Sequence, residues 1–138
     1  VITEGAMEID MVMDINSFRL KKYDKVLTGI YSIVEAAAGR IVKVIIEACH
    51  WNNEEIKIAC EIVKEAKAQF VKTSTGFSTY GAKYSQVKII RQVVGDLFGV
   101  KASGGINTFN DTIKMIEAGA NRIGTSSGVK IIQGINDS

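Results

Sequence analysis

The sequence lacks proline and contains one histidine, one tryptophan and two cysteines in 138 residues. Cys49 and Cys60 match neither a CxxC pair nor a zinc-site pattern, and His50 has no metal-ligating neighbour at useful spacing. This scarcity argues against a disulfide scaffold and against a zinc site. We predict instead two buried, reduced thiols in a cytoplasmic protein, and a loop position for His50.

Long apolar runs are also absent. No segment approaches the roughly 20 apolar residues that cross a bilayer, and the opening residues lack the basic start and apolar stretch of a signal peptide. The 17 Lys and Arg residues are mixed with 15 Asp and Glu residues rather than clustered. We therefore expect neither a membrane nor a nucleic acid as partner.

The length favours one domain over residues 1–138, and the lack of an initiator Met suggests processing or a chain cut from something longer.

What the sequence does contain is an alternation of short β-rich runs with longer amphipathic ones. Strands are predicted near 7–13, 41–47, 69–74, 99–103 and 121–126, and helices near 22–38, 53–66, 84–95, 108–118 and from about 128. Asn53 is expected to cap the second helix, and Thr108 with Asp111 has the spacing of a capping box. Strands alternating with helices predict parallel βαβ units with right-handed crossovers.

The faces of the predicted strands distinguish a barrel from an open sheet. Residues two apart share a face, so Lys72 shares one with Ser74, and Lys101 shares one with Ser103. Every strand but the last carries ionisable residues on one face and apolar residues on the other. An open doubly wound sheet prefers apolar residues on both faces. The pattern therefore favours an α/β fold of the (β/α)8 barrel type with a polar interior, here a partial barrel of about five parallel strands.

Two lysines near the carboxyl ends of neighbouring strands suggest chemistry. Lys72 and Lys101 would lie within reach of each other, and burial with a like charge nearby lowers the pKa of one of them. A neutral amine attacks carbonyls to form a Schiff base, and Asp10 could move protons directly or through water. In the alternative interpretation, the lysines pair with Glu8, Asp10 and Glu47 as a structural charge cluster. The pattern alone leaves both open.

Glycine-rich turns follow the last two predicted strands, "SGGINT" at 103–108 and "GTSSG" at 124–128. Each leads into a helical start, so backbone N–H groups and the positive end of a helix would face the same end of the barrel. Loops after the last two strands of such barrels commonly bind phosphate. Ser126 and Ser127 would add hydroxyl donors, or would simply cap the following helix.

In chain order, the segments "EIDMV", "KVIIEAC", "FVKTSTGFST", "GVKASGGI" and "RIGTSSG" resemble the bacterial deoxyribose-phosphate aldolases over nearly the whole chain. The resemblance implies a (β/α)8 barrel and a class I aldolase that needs no metal or other cofactor. Such an enzyme cleaves the sugar phosphate 2-deoxyribose 5-phosphate to glyceraldehyde 3-phosphate and acetaldehyde.

The same resemblance implies a role for each matching residue. Lys72 would be the Schiff-base nucleophile, Lys101 the neighbouring cation that favours its neutral form, and Asp10 a member of the proton relay. Asn107 stands where the family usually has Arg, and Tyr80 lies in a loop that commonly reads "STGGAT". The phosphate-binding positions would be Gly76, Gly104, Gly105, Gly124, Ser126 and Ser127.

The five predicted strands correspond to the last five of the eight in such a barrel. We therefore expect two exposed sheet edges, at 7–13 and 121–126, which favour self-association or a homo-oligomer and leave the chain poorly stable alone. The alternative function is an inactive or partner-dependent phosphate-binding fragment. A different sugar-phosphate enzyme that uses the lysines as electrostatic clamps fits less well, because neither lysine lies in the phosphate loops.

Overall fold

The computed structural model describes residues 8–76 and 80–125. Ser126, Ser127 and the helix predicted from about 128 lie outside the described residues. The strands and helices alternate in chain order: β1 Glu8–Val12, α1 Ile15–Arg19, α2 Tyr23–Ala37, β2 Ile41–Ile45, α3 Asn53–Glu65, β3 Phe70–Lys72, α4 Tyr84–Val94, β4 Gly99–Ser103, α5 Phe109–Ala118 and β5 Arg122–Gly124.

The five strands form one parallel sheet in the order β1-β2-β3-β4-β5. Each strand lies beside its neighbour in sequence, which is the order of a singly wound barrel rather than of a doubly wound sheet. Val42, Val44 and Ile46 are completely buried on the helix-facing side. Lys43, between them in sequence, points to the opposite side. The predicted α/β partial barrel is confirmed.

The helix ends follow short polar signals, two of which the sequence analysis misplaced or missed. Asn52, not Asn53, caps α3, because its side chain accepts from Glu55 N–H while the Glu55 carboxylate accepts from Asn52 N–H. Helix α1 was not predicted. It begins after Asp14, whose carboxylate accepts hydrogen bonds from the backbone N–H and the hydroxyl of Ser17. The predicted capping box of α5, Thr108 with Asp111, is confirmed.

The cysteines differ from each other. Cys60 is buried in the core, and burial raises the pKa of its thiol to about 12. Cys49 is only half-buried, so the prediction of two buried thiols is wrong for this residue. Cys49 and His50 lie in a short 3-10 turn after β2, at the margin of the core. Among residues 8–76 and 80–125, no helix is long and apolar enough to cross a membrane.

Candidate active site

The lower part of the barrel interior, near the amino ends of the strands, is a set of paired charges. Arg122 on β5 donates two hydrogen bonds to the carboxylate of Glu8 on β1 and lies over the ring of Phe70, 4.5 Å from its centroid. The sheet is therefore curved enough for side chains of its two outer described strands to meet. The Lys43 amine is 3.3 Å from the same Glu8 carboxylate. We call Glu8, Lys43 and Arg122 the lower cluster.

Arg122 corrects one expectation from the sequence. The last strand was expected to carry no ionisable residue on its inner face, yet Arg122 binds Glu8 inside the barrel. The sequence contained the evidence for this position. Arg122 lies two residues before Gly124, and residues two apart in a strand share a face, so Arg122 lies on the same face as Gly124. The hydrogen bond from Arg122 is the main reason that the pKa of Glu8 is lowered, and Lys43 adds to the effect.

Asp10 connects the lower cluster to the predicted nucleophile. One carboxylate oxygen is 3.4 Å from the amine of Lys43, and the other is 3.8 Å from the amine of Lys72. The Lys72 side chain is only 15% exposed. Sequence reasoning placed Lys43 on the inner face but gave it no role. In the structure Lys43 holds Asp10 in place.

Lys101 differs from the other two interior lysines. It lies beside Lys72 in the parallel register of β3 and β4, and no carboxylate of the described residues is in ion-pair contact with it. Burial lowers the pKa of Lys101, and the nearby positive charges of Lys43 and Lys72 lower it further. The structure therefore places Lys101, a lysine whose pKa is lowered, next to Lys72.

The structural-cluster interpretation applies to only part of this arrangement. Of the two lysines that this interpretation concerns, Lys72 does contact Asp10, at 3.8 Å. The third predicted acid, Glu47, contacts none of the lysines in the described part of the chain, and it accepts hydrogen bonds from the backbone N–H and the hydroxyl of Thr75. Charge pairing thus accounts in part for Lys72, and among the described residues it does not account for Lys101.

A cavity of about 380 Å³ opens at the carboxyl ends of β3, β4 and β5. It brings Lys72 together with four predicted phosphate-binding glycines. The described residues that line it are Lys72, Thr75, Gly76, Ser103, Gly104, Gly105, Ile106, Asn107, Gly124 and Thr125. Of the site residues predicted from sequence, Lys72, Gly76, Gly104, Gly105 and Gly124 line this space. Asp10 and Lys101 do not line it, but Asp10 contacts Lys72 and Lys101 lies beside Lys72 in the register of β3 and β4. Ser126 and Ser127 lie outside the described residues.

Backbone geometry shapes the rim of this cavity. Gly104 and Gly105 have φ angles of 83° and 69°, a conformation that glycine adopts without strain. A Cβ at Gly81 would lie 2.1 Å from the backbone of Gly104, so the chain around Gly81 can approach only because that side chain is missing. The backbone N–H of Ala82 fixes this contact by donating to the carbonyl oxygens of Ser103 and Gly104.

The two positions that depart from the family pattern occupy different places. Asn107 lines the cavity, where a longer Arg is usual. The Tyr80 hydroxyl instead accepts a hydrogen bond from Gln86 Nε2, and Lys83 sits 3.8 Å from the Tyr80 ring centroid. Tyr80 is thus engaged in packing beside α4 rather than in lining the cavity among the described residues.

Comparison with known proteins identifies the family of this chain. The family model described as "DeoC/LacD family aldolase" matches residues 1–134. The chain belongs to this family. It is 54% identical over 133 residues to the deoxyribose-phosphate aldolase of Thermotoga petrophila, an alignment that covers 96% of this chain and 54% of the relative.

Solved aldolase structures show the same fold. The structure named "QR15, an Aldolase" superimposes with a TM-score of 0.90 at 44% identity, covering 96% of this chain and 60% of that one. The deoxyribose phosphate aldolase of Aeropyrum pernix, whose structure is described as tetrameric, gives 0.84 at 36% identity, covering 96% and 56%. The chain thus spans between about half and three-fifths of the length of these relatives.

Proposed function

We propose that this protein acts as a class I aldolase that cleaves 2-deoxyribose 5-phosphate to glyceraldehyde 3-phosphate and acetaldehyde. The observation that carries the proposal is the pairing of Lys72 and Lys101 on adjacent strands, beside a cavity lined by glycines. Burial and the nearby cations lower the pKa of Lys101, so this lysine is suited to exchange protons beside the Lys72 amine that would attack the carbonyl. The named relatives support the same reaction.

In the proposed reaction, the amine of Lys72 adds to the C1 aldehyde of the open-chain sugar, and loss of water gives an imine. A base accepts the proton of the C3 hydroxyl, the C2–C3 bond breaks, and its electron pair moves into the protonated imine to give an enamine. Glyceraldehyde 3-phosphate leaves at this step. Protonation of C2 and addition of water then release acetaldehyde and regenerate the amine. Asp10, in contact with Lys72, is the group proposed to handle these protons, directly or through water.

The proposed phosphate site is the glycine-lined end of the cavity. Gly76, Gly104, Gly105 and Gly124 line it without side chains, so backbone N–H groups can approach an anion closely. The backbone N–H groups of Asn107 and Thr108, just before α5, contribute less, because they already donate to the carboxylate of Asp111. Ser126 and Ser127 remain proposed ligands on sequence grounds alone.

An assay of the purified protein with 2-deoxyribose 5-phosphate tests this proposal. The expected result is release of acetaldehyde that falls by at least about 10³-fold in Lys72→Met, a typical loss for a covalent nucleophile. Lys64→Met, at an exposed position of α3, is the matched control and is expected to keep full activity. Saturable binding of the sugar phosphate without any cleavage would instead favour the alternative, a phosphate-binding fragment.

We also propose that the protein forms a homo-oligomer. Strands β1 and β5 are the outer strands of the sheet among the described residues, and outer strands offer unpaired backbone groups to another chain. The tetrameric description of the Aeropyrum pernix relative is consistent with self-association. Sedimentation at several concentrations tests this, and a monomer at every concentration would contradict it.

A further inference from the structure

One buried side chain at the cavity has no partner. Ser103, at the end of β4, is only 5% exposed, and its hydroxyl oxygen makes no hydrogen bond within the part of the chain that the structure describes. Ser74, just after β3, is completely buried, but its hydroxyl donates to Thr73 Oγ1 at 3.4 Å. A buried hydroxyl without a partner is costly, and native structures rarely retain one without a reason.

The position of the Ser103 hydroxyl points to the cavity. A Cβ placed on Gly124 would lie 3.1 Å from the Ser103 hydroxyl oxygen and 3.1 Å from Lys101 Cε. The hydroxyl and the end of the Lys101 side chain therefore face the same space over Gly124. Ser103 and Gly124 both line the cavity, together with Lys72. The missing partner is thus a group that enters this cavity.

The order of residues along β4 suggests which group it is. Lys101 lies beside Lys72 in register, Ser103 comes two residues later on the same face, and the glycine turn at Gly104 follows directly. If the aldolase proposal holds, C1 of the sugar is bound at Lys72 and the phosphate at the glycine turn. The carbons between them must then pass Ser103, and C4, next to the carbon that bears the phosphate ester, carries a hydroxyl.

We propose that Ser103 is a specificity-determining residue that hydrogen-bonds the substrate hydroxyl adjacent to the phosphate ester, the C4 hydroxyl of open-chain 2-deoxyribose 5-phosphate. This inference rests on the proposed aldolase function. It gives the buried hydroxyl its missing partner and explains how the site selects a hydroxylated chain. A site built to hydrogen-bond a hydroxyl discriminates against the analogue without it, because its own polar group is then left unpaired.

Reductive trapping tests the contact without requiring turnover. The protein is incubated with borohydride and increasing amounts of either 2-deoxyribose 5-phosphate or its 4-deoxy analogue, and total label on Lys72 is measured by peptide mass mapping. In Ser103→Ala, the half-saturating concentration of 2-deoxyribose 5-phosphate should rise about threefold to tenfold, the loss typical of one hydrogen bond. That of the 4-deoxy analogue should stay the same.

Two further variants separate this contact from folding effects. Ser103→Cys keeps the size of the side chain but forms weaker hydrogen bonds. It should therefore also raise the half-saturating concentration of 2-deoxyribose 5-phosphate. Ser74→Ala changes the buried serine whose hydroxyl already has a partner. It should change the half-saturating concentration of neither sugar. Equal shifts for both sugars in Ser103→Ala, or no shift at all, would overturn the proposed contact. Absence of label on Lys72 in the unsubstituted protein would overturn the aldolase proposal and this inference together.

Discussion

The two ends of the barrel interior contain similar residue types. They differ in whether the polar and charged groups of those residues have partners. At the lower end, every charge in the cluster of Glu8, Lys43 and Arg122 has an opposite charge in contact. At the upper end, Lys101 has no carboxylate contact and the Ser103 hydroxyl has no hydrogen-bond partner, in both cases among the described residues. The difference indicates that the lower end supports the structure and that the upper end is arranged for a ligand.

Asp10 lies at the boundary between these ends. It contacts Lys43 on one side and Lys72 on the other. A substitution in the lower cluster should therefore change stability first and reactivity only through Asp10. A substitution at the upper end should change reactivity first.

After the loss expected for Lys72→Met, the largest effect is expected from Lys101→Met. Lys101 is the neighbouring cation with a lowered pKa, which suits it to exchange protons beside Lys72. Removal of such a group typically costs about 10²–10⁴-fold, so we expect cleavage of 2-deoxyribose 5-phosphate to fall by about 10²-fold. Steady-state rates measured against Lys64→Met, the surface control, check this. An unchanged rate would remove Lys101 from the proposed reaction.

The same variant has a distinct effect on the pH dependence of stability. Because the pKa of Lys101 is lowered in the folded protein, the unfolded chain binds its proton more readily. The free energy of unfolding therefore increases as pH rises from the lowered pKa to the ordinary value of 10.5. Urea unfolding at neutral pH and near this ordinary value should show the gain in the unsubstituted protein and a smaller one in Lys101→Met. Equal gains would contradict the assigned shift.

A smaller effect is expected at the lower cluster. The lowered pKa of Glu8 means that its stabilisation is present above the ordinary value of 4.5 and is lost as pH falls through the lowered pKa. Arg122→Met removes the main cause, so acid unfolding should begin at a higher pH. Circular dichroism during acid titration measures this. Lys57→Met, which breaks the exposed pair with Glu54 on α3, is the matched control and should leave the titration unchanged.

The structural role of the lower cluster also predicts a coupling. In a double-mutant cycle of Glu8→Gln and Arg122→Met, the second substitution should cost less stability in the presence of the first, because their shared contact is already lost. Simple additivity of the two losses would mean that the pair does not hold β1 and β5 together.

The smallest effect concerns a helix cap outside both ends of the interior. Asn52→Ala removes a capping box and should lower the free energy of unfolding by about 1 kcal/mol. Asn53, one residue later, does not make the capping hydrogen bond. Asn53→Ala should therefore change the free energy of unfolding little. Neither should alter trapping at Lys72. Urea unfolding of both variants checks the assignment, and a larger loss for Asn53→Ala would restore the cap predicted from sequence.

Local patterns in the sequence carried most of the fold. The period-2 faces of the strands placed Lys43, Lys72 and Lys101 on one side, and the structure shows all of them inside the barrel. Helix α1 was missed because five residues give no usable hydrophobic period. Its capping signal, Asp14 with Ser17, was the only local evidence for it.

Contacts between distant strands were harder to predict. The pairing of Arg122 with Glu8 joins residues 114 positions apart, and it depends on how strongly the sheet curves, which no local pattern specifies. The pairing of Glu47 with Thr75 rather than with a lysine has the same cause. Which charges are satisfied and which are left for a ligand is thus a property of the folded barrel.

The most direct test of the account uses acetaldehyde and borohydride, with peptide mass mapping of every lysine. Lys43 and Lys72 are both buried, with 8% and 15% of their side chains exposed, but only Lys43 is held by two carboxylates. We expect an ethyl group on Lys72, little on Lys43, and no labelling of the interior in Lys72→Met. Labelling of Lys43 or Lys101 in preference to Lys72, or an even spread over surface lysines, would contradict it.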